Sequence, residues 1–188
     1  MSDAELYERA TAWMRVDPDP VTRDELSELV ARTRRGDRAA LDDLRARFAG
    51  ELEFGTAGLR GVLGPGPMAM NRVVVRRATL ALATHLRERP SAATMQNGAQ
   101  VVIGYDARRN SRLFAEDAAR ILAQHGITAL VAEVAWPTPV TAWAVTKLGA
   151  AAGIMVTASH NPPEYNGYKV YAQNGAQIIP PDDVRIAA

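Results

Sequence analysis

The sequence predicts an α/β fold: a mixed, mainly parallel sheet lying between helices, with a helical extension at the N-terminus. Three observations predict it. Apolar segments at 100–105, 127–134 and 151–157 have the length and composition of buried strands. Helical patterns separate them, and this alternation favours a doubly wound sheet with right-handed crossovers. Residues 1–50, in contrast, carry helical spacing and no strand candidate.

In chain order, 3–15 and 22–48 read as helices interrupted by Asp17-Pro18-Asp19-Pro20, with Leu26, Leu29 and Val30 and then Leu41, Leu44 and Phe48 at helical spacing. Thr22 with Glu25 three places on suits a capping box. A glycine-rich stretch fills 53–67, and Asn71 to Arg89 reads as a helix that Pro90 ends. Between the first two strands lies a helix that Ser111 can cap and Gly126 can stop. A shorter one, 140–148, is closed by Gly149. Trp136-Pro137-Thr138-Pro139 forms a rigid lead-in to it. After Pro162-Pro163 the pattern changes: 168–172 and 177–179 flank Gln173-Asn174-Gly175-Ala176 like a hairpin, which predicts an antiparallel edge. Pro180-Pro181-Asp182-Asp183 looks like a helix start, yet only about one turn follows, too short for a stable helix. The expectation is a polypeptide that continues, with 1–50 as a helical extension and 51–188 as a C-terminally truncated α/β domain.

Composition narrows the function. The 188 residues are 47% hydrophobic with a formal net charge of +1, which argues against an electrostatically driven nucleic-acid binder. The one basic cluster, Arg32, Arg34, Arg35 and Arg38, reads as a solvated helix end. Cysteine is absent, which excludes thiol catalysis, disulfides and Cys-based metal sites and points to a reducing cytoplasm. The N-terminus lacks the pattern of a signal peptide, and the longest apolar run, 148–158, is too short to span a bilayer. A soluble cytoplasmic protein without nucleic-acid or membrane partners is expected.

Ligands of open α/β sheets gather at the C-terminal ends of the strands. Two polar clusters occupy such ends: Asp106-Ala107-Arg108-Arg109-Asn110-Ser111 and Ser159-His160-Asn161. The second belongs to Thr157-Ala158-Ser159-His160-Asn161-Pro162-Pro163-Glu164-Tyr165-Asn166-Gly167-Tyr168-Lys169. The prolines stiffen this loop, and Asn166-Gly167 can supply a positive-φ turn that brings Lys169 back toward Ser159. A serine hydroxyl needs a nearby base, and a desolvated lysine gives up its proton more readily. On Ser-Asn-Pro-Gly composition alone the string also fits a tight turn whose polar side chains only cap backbone groups. It is not the Gly-x-Ser-x-Gly elbow of a serine hydrolase. In Phe54-Gly55-Thr56-Ala57-Gly58-Leu59-Arg60-Gly61 the glycines let the backbone approach an anion, and Arg60 can clamp phosphate oxygens; an ordinary glycine turn fits it too. In Gly104-Tyr105-Asp106-Ala107-Arg108 the charged pair fits either a support for the serine loop or a plain strand-end salt bridge.

Together the three segments resemble the α-D-phosphohexomutase superfamily, the phosphoglucomutase and phosphomannomutase enzymes. The family's loop reads Thr-Ala-Ser-His-Asn-Pro followed by Asn-Gly-Tyr/Phe-Lys, and its Phe-Gly-Thr-Ser-Gly-Leu-Arg-Gly segment is departed from here only at Ala57. The long leader and the Gly-Leu-Arg-Gly-Val form are most similar to the phosphoglucomutase/phosphopentomutase branch. The resemblance implies an isomerase that moves phosphate between C1 and C6 of glucose or mannose through a phosphoserine and a hexose 1,6-bisphosphate. It implies Ser159 as the phosphate carrier, with Mg²⁺ on its phosphoryl oxygen, Lys169 as general base and His160 beside the nucleophile. It further implies Arg60, Thr56, Gly58 and Asn161 as phosphate- and substrate-binding residues, with Asp106 and Arg108 bracing the serine loop. The family's Asp-Gly-Asp-x-Asp-Arg metal loop, Gly-Glu-x-Ser sugar loop and C-terminal phosphate loop are not in this chain. The partners expected are therefore a phosphosugar and further domains of the same polypeptide, with little activity in the chain alone. A phosphopentomutase and a non-catalytic phosphosugar-binding module are the alternatives.

Overall fold

The computed structural model describes residues 1–55, 58–88 and 98–178. Three helices open the chain: α1 (Asp3–Val16), α2 (Pro20–Arg34) and α3 (Arg38–Arg47). Ser2 and Glu5 cap α1 reciprocally, and Asp19 caps α2 by accepting from Val21 N at 3.0 Å, with Pro20 as its first residue. The capping box expected at Thr22 is therefore absent. Thr22 lies inside α2, where its hydroxyl donates to the buried Asp17 at 2.7 Å. The single helix expected over 22–48 is two. Gly36, at φ 89°, breaks it, and Asp37 restarts it by accepting from Ala40 N.

The α/β part follows as β1 (Leu59–Val62), α4 (Arg72–Glu88), β2 (Gln100–Tyr105), α5 (Ser111–Gln124), β3 (Thr128–Val131), α6 (Thr138–Leu148), β4 (Ala152–Val156) and β5 (Tyr165–Ala172). Asn71 starts α4 by accepting from Val74 N at 3.0 Å. Ser111 does not cap α5. Asn110, at φ 66°, takes the cap position, and the Ser111 hydroxyl turns to the stronger acceptor, Asp106, at 2.7 Å. Gly126 and Gly149, both at positive φ, follow the ends of α5 and α6. Trp136 Nε1 donates to Thr141 at 2.8 Å and fixes the turn into α6.

The five strands run in the order β1-β5-β4-β2-β3. β2 is parallel to β3 and to β4, while β5 is antiparallel to both of its neighbours. The mixed sheet is as expected, but the antiparallel edge is not β5. The edge is β1, drawn from the glycine-rich stretch, and β5 lies inside the sheet. Asn166 and Gly167 make no turn, because both lie within β5, paired with Gly61 and Arg60. Gly167 serves close approach instead: a Cβ there would meet the carbonyl oxygens of Leu59 and Thr157, both at 2.7 Å. The hairpin after β5 is present, with Ala172 N bonded to Ala176 O and Ile178 N to Val170 O. Arg89, Pro90, Ile179 and the 180–188 segment lie outside the described residues.

The strands' period of two sorts the core into two layers. Val101, Ile103, Ile154, Val156 and Tyr168 join Val75, Leu82, Phe114 and Leu122 of α4 and α5 in the larger one, which also takes in Leu6, Leu26 and Phe48 of the N-terminal segment. Val102, Met155 and Tyr171 meet Val145 of α6 on the other face. Among the described residues no helix is long and apolar enough to cross a membrane.

One buried charge cluster joins α4 to α5. The fully buried Asp117 carboxylate takes two hydrogen bonds from Arg72, at 2.6 and 2.9 Å, and one from Arg76 at 2.7 Å. Burial pushes its pKa up, but the bonds from Arg72 and Arg76 outweigh this and hold it below the usual carboxylate value. Asp117→Asn strands Arg72 against the core and is expected to cost about 3 kcal/mol in urea unfolding at neutral pH. Because the folded pKa is lowered, the wild-type advantage is full above the ordinary carboxylate pKa. It fades as pH falls through the folded value.

Candidate active site

Since β2 and β4 are parallel neighbours, the loops that follow them emerge at one end of the sheet, where Asp106 N bonds Val156 O at 3.1 Å. The loop after β4 turns sharply. Ser159 has a left-handed backbone, φ 60°, a conformation that costs a non-glycine residue about 1–2 kcal/mol. Its N–H donates to Thr157 Oγ1 at 2.9 Å, and Asn161 N closes back on Ala158 O at 3.1 Å.

Arg108 holds this turn from the neighbouring loop. Its Nη2 donates to the carbonyls of Ser159 (2.8 Å) and Asn161 (2.7 Å), and its Nη1 to those of Pro162 (2.8 Å) and Tyr165 (3.2 Å). The planar fork of a guanidinium suits convergent carbonyls in a way that a lysine ammonium does not. Asp106 orients the fork: Oδ2 lies 3.3 Å from Arg108 Nε, and Oδ1 accepts from Arg108 N and Ser111 Oγ. Behind it Asn166, fully buried on β5, donates to Arg109 O at 2.9 Å and Ser111 Oγ at 3.0 Å.

On the far side of the loop, Arg60 of β1 donates from Nη1 to Asn161 Oδ1 at 2.9 Å, while its buried Nε has no acceptor among the described residues. Arg60 pairs with Gly167, two residues before Lys169, so the missing side chain at Gly167 leaves the two cations as neighbours on one face. Lys169 makes no hydrogen bond or ion pair with the described residues. Burial, and after it the Arg60 charge, pushes its pKa below the ordinary lysine value. Gly58, at φ 82°, packs against the Tyr168 carbonyl, where no Cβ would fit. Gly55 and Gly58 bond each other through their backbones, and Thr56 lies outside the described residues.

Ser159, Asn161, Asp106 and Arg108 thus line one open cavity of about 800 Å³, together with Arg109, Pro163 and Glu164. Arg60 joins it through Asn161. His160 is exposed and makes no hydrogen bond among the described residues. Sequence reasoning missed Thr157 and Asn166. The available signal was a polar residue directly flanking an apolar run, which reads equally well as a strand terminus.

A Mg²⁺ ion asks for several oxygen ligands in a near-octahedral set. The described residues contain no group of three or more His, Cys, Asp or Glu side chains that could hold a metal, and both Asp106 oxygens are already engaged. They do not build a Mg²⁺ cage by themselves.

Helices cover both faces of a mixed sheet, and a clamped serine turn sits at the ends of its parallel strands. That defines the class: an α/β/α domain with its polar site at the sheet's carboxyl edge. The chain belongs to the phosphoglucomutase/phosphomannomutase family, residues 51–188 matching the model of its alpha/beta/alpha domain I. It is 42% identical over 187 residues to a probable phosphoribomutase of Schizosaccharomyces pombe, covering 99% of this chain and 30% of that protein. To the human phosphopentomutase it is 38% identical over 191 residues, covering 98% and 30%. The crystal structure of a putative phosphomannomutase from Thermus thermophilus superposes with a TM-score of 0.65 at 33% identity, over 73% of this chain and 29% of that one. The chain thus spans about 30% of the length of these curated relatives.

Proposed function

We propose that this chain is the phosphoserine-bearing domain of an intramolecular phosphotransferase. It would interconvert sugar 1-phosphates and sugar 6-phosphates, of glucose or mannose, through a hexose 1,6-bisphosphate. The observation that carries the reading is the left-handed Ser159, whose turn is fixed by four carbonyl bonds to Arg108. A backbone held this way aims one hydroxyl into the cavity before substrate arrives, which is where positioning catalysis gains most.

In this reading the phosphoryl group leaves Ser159 Oγ for a sugar hydroxyl, whose proton passes to the neutral amine of Lys169. It returns from the other end of the bisphosphate, with the proton now given back. Arg60 and Asn161 hold phosphate oxygens beside the turn, Thr56 and Gly58 bind the same anion, and His160 contacts phosphate or sugar from the exposed side. Bound Mg²⁺ would offset phosphate charge, and Ser159's phosphoryl oxygen is a ligand this chain would supply to it. The other ligands, and the groups that recognise the sugar, would come from further domains of the same polypeptide. Residues 1–50 act as a helical extension of the domain.

A phosphopentomutase is the second reading. One observation favours it: the phosphoribomutase and phosphopentomutase relatives match 99% and 98% of this chain, N-terminal helices included, whereas the Staphylococcus saprophyticus phosphoglucomutase matches 74%.

Protein purified from its native cells is expected to carry phosphate on Ser159, seen by peptide mass spectrometry. The phosphate should discharge on adding a sugar phosphate, and the better acceptor, hexose or pentose, decides between the two readings. A Ser159 that stays unmodified even after hexose 1,6-bisphosphate and Mg²⁺ would overturn the proposal.

A further inference from the structure

The cavity that holds Ser159 has more cationic side chains on its wall than the proposed reaction uses, and they are not equivalent. Arg108 is committed: every carbonyl bond it makes is part of the turn, and its Nε faces Asp106. Arg60, one strand away, is tied through Nη1 to Asn161. Arg109 lines the same cavity, is exposed, and its guanidinium has no hydrogen bond or ion pair among the described residues. Its backbone, however, is fixed. The carbonyl of Arg109 accepts from the fully buried Asn166, and the next residue, Asn110, is set in the left-handed region at the start of α5. An anchored backbone with an uncommitted side chain is the arrangement of a ligand contact rather than of a structural ion pair.

The cavity lining carries two guanidiniums, Arg108 and Arg109, and two carboxylates, Asp106 and Glu164, and Asp106 faces Arg108. Glu164 also lines it and makes no side-chain bond among the described residues, so an anion entering beside it meets an unpaired carboxylate. The Arg108 charge is already offset by Asp106, which leaves the Arg109 guanidinium to meet the anion. We propose that Arg109 is a binding residue for a phosphate monoester dianion: its fork takes two oxygens of the sugar phosphate that docks against the Ser159 turn. This deepens the phosphotransferase reading and rests on it for the identity of the anion.

Calorimetric binding of hexose 1,6-bisphosphate with Mg²⁺ to the full-length protein tests it, because binding needs no transfer. Arg109→Ala is expected to weaken binding at least about tenfold, the loss of charged hydrogen bonds to the ligand, with Arg109→Lys in between. Arg112→Ala removes a positive charge from the first turn of α5, where Arg112 pairs with Glu116, and should leave binding unchanged. Equal affinity for Arg109→Ala and wild type overturns the inference, and so does an equal loss in Arg112→Ala, which would mean a general field. Ser159 phosphorylation, followed in the same samples, separates the two proposals. Arg109-dependent binding without phosphate on Ser159 overturns the phosphotransferase reading and leaves the anion site standing. No binding by wild type overturns both.

Discussion

Arg108→Ala is expected to slow phosphoryl transfer through Ser159 about 100-fold, the scale set by misplacing a reacting group by roughly 1 Å. The variant removes every carbonyl bond that gathers residues 159–165 on one guanidinium, along with the contact that orients Asp106. The turn then relaxes toward a backbone that suits serine better, and the hydroxyl loses its aim. Arg108→Lys should recover little, because an ammonium with three donors on a flexible stem cannot bond four carbonyls at once. Rapid-quench measurement of phosphate moving between Ser159 and sugar reads the rate, and the chemical shifts of the Ser159 amide report the backbone. An unchanged rate in Arg108→Ala would remove the clamp from the mechanism.

Lys169→Met should cost about 10²–10⁴-fold in the same transfer, the usual range for a lost general base, while leaving binding of the sugar phosphate largely intact. The wild-type rate should rise with pH along a limb below the ordinary lysine range, since the folded pKa is lowered and the free amine is the competent form. Burial is the larger cause of that shift and Arg60 the smaller. Arg60→Gln should therefore move the limb part of the way back to higher pH. A rate limb that ignores both substitutions would assign the proton to another group.

How far the fold could be read depended on whether its determinants are local. Gln100–Tyr105 is bounded correctly because an unbroken apolar run stops at Asp106, and the glycines after α5 and α6 are local stop signals. β1 was not legible: Leu-Arg-Gly-Val is short and lies among glycines, and it becomes a strand only because β5 is there to pair with it. The same long-range pairing turned Asn166-Gly167 from an expected turn into the middle of a strand. At the site, the motifs singled out Ser159, Arg60 and Lys169 as residue types able to handle phosphate, and the family resemblance gave Asp106 and Arg108 as braces of the serine loop. Arg108 does brace that loop, and what stayed hidden is how, because its partners are backbone carbonyls, which carry no signature in sequence. Thr157 and Asn166 were hidden for a related reason: each hydrogen-bonds backbone groups of the site, Asn166 in a neighbouring loop as well as in its own strand.

The left-handed backbone at residue 159 also restricts which alcohol can occupy the position. A second substituent on Cβ crowds the carbonyl in that region, so threonine is a poor fit there. Glycine fits freely and asparagine is tolerated, but neither carries a hydroxyl. Only a primary alcohol satisfies the chain's geometry and the chemistry together. Replacement of serine by its closest chemical relative is therefore closed to this turn, although both side chains are alcohols.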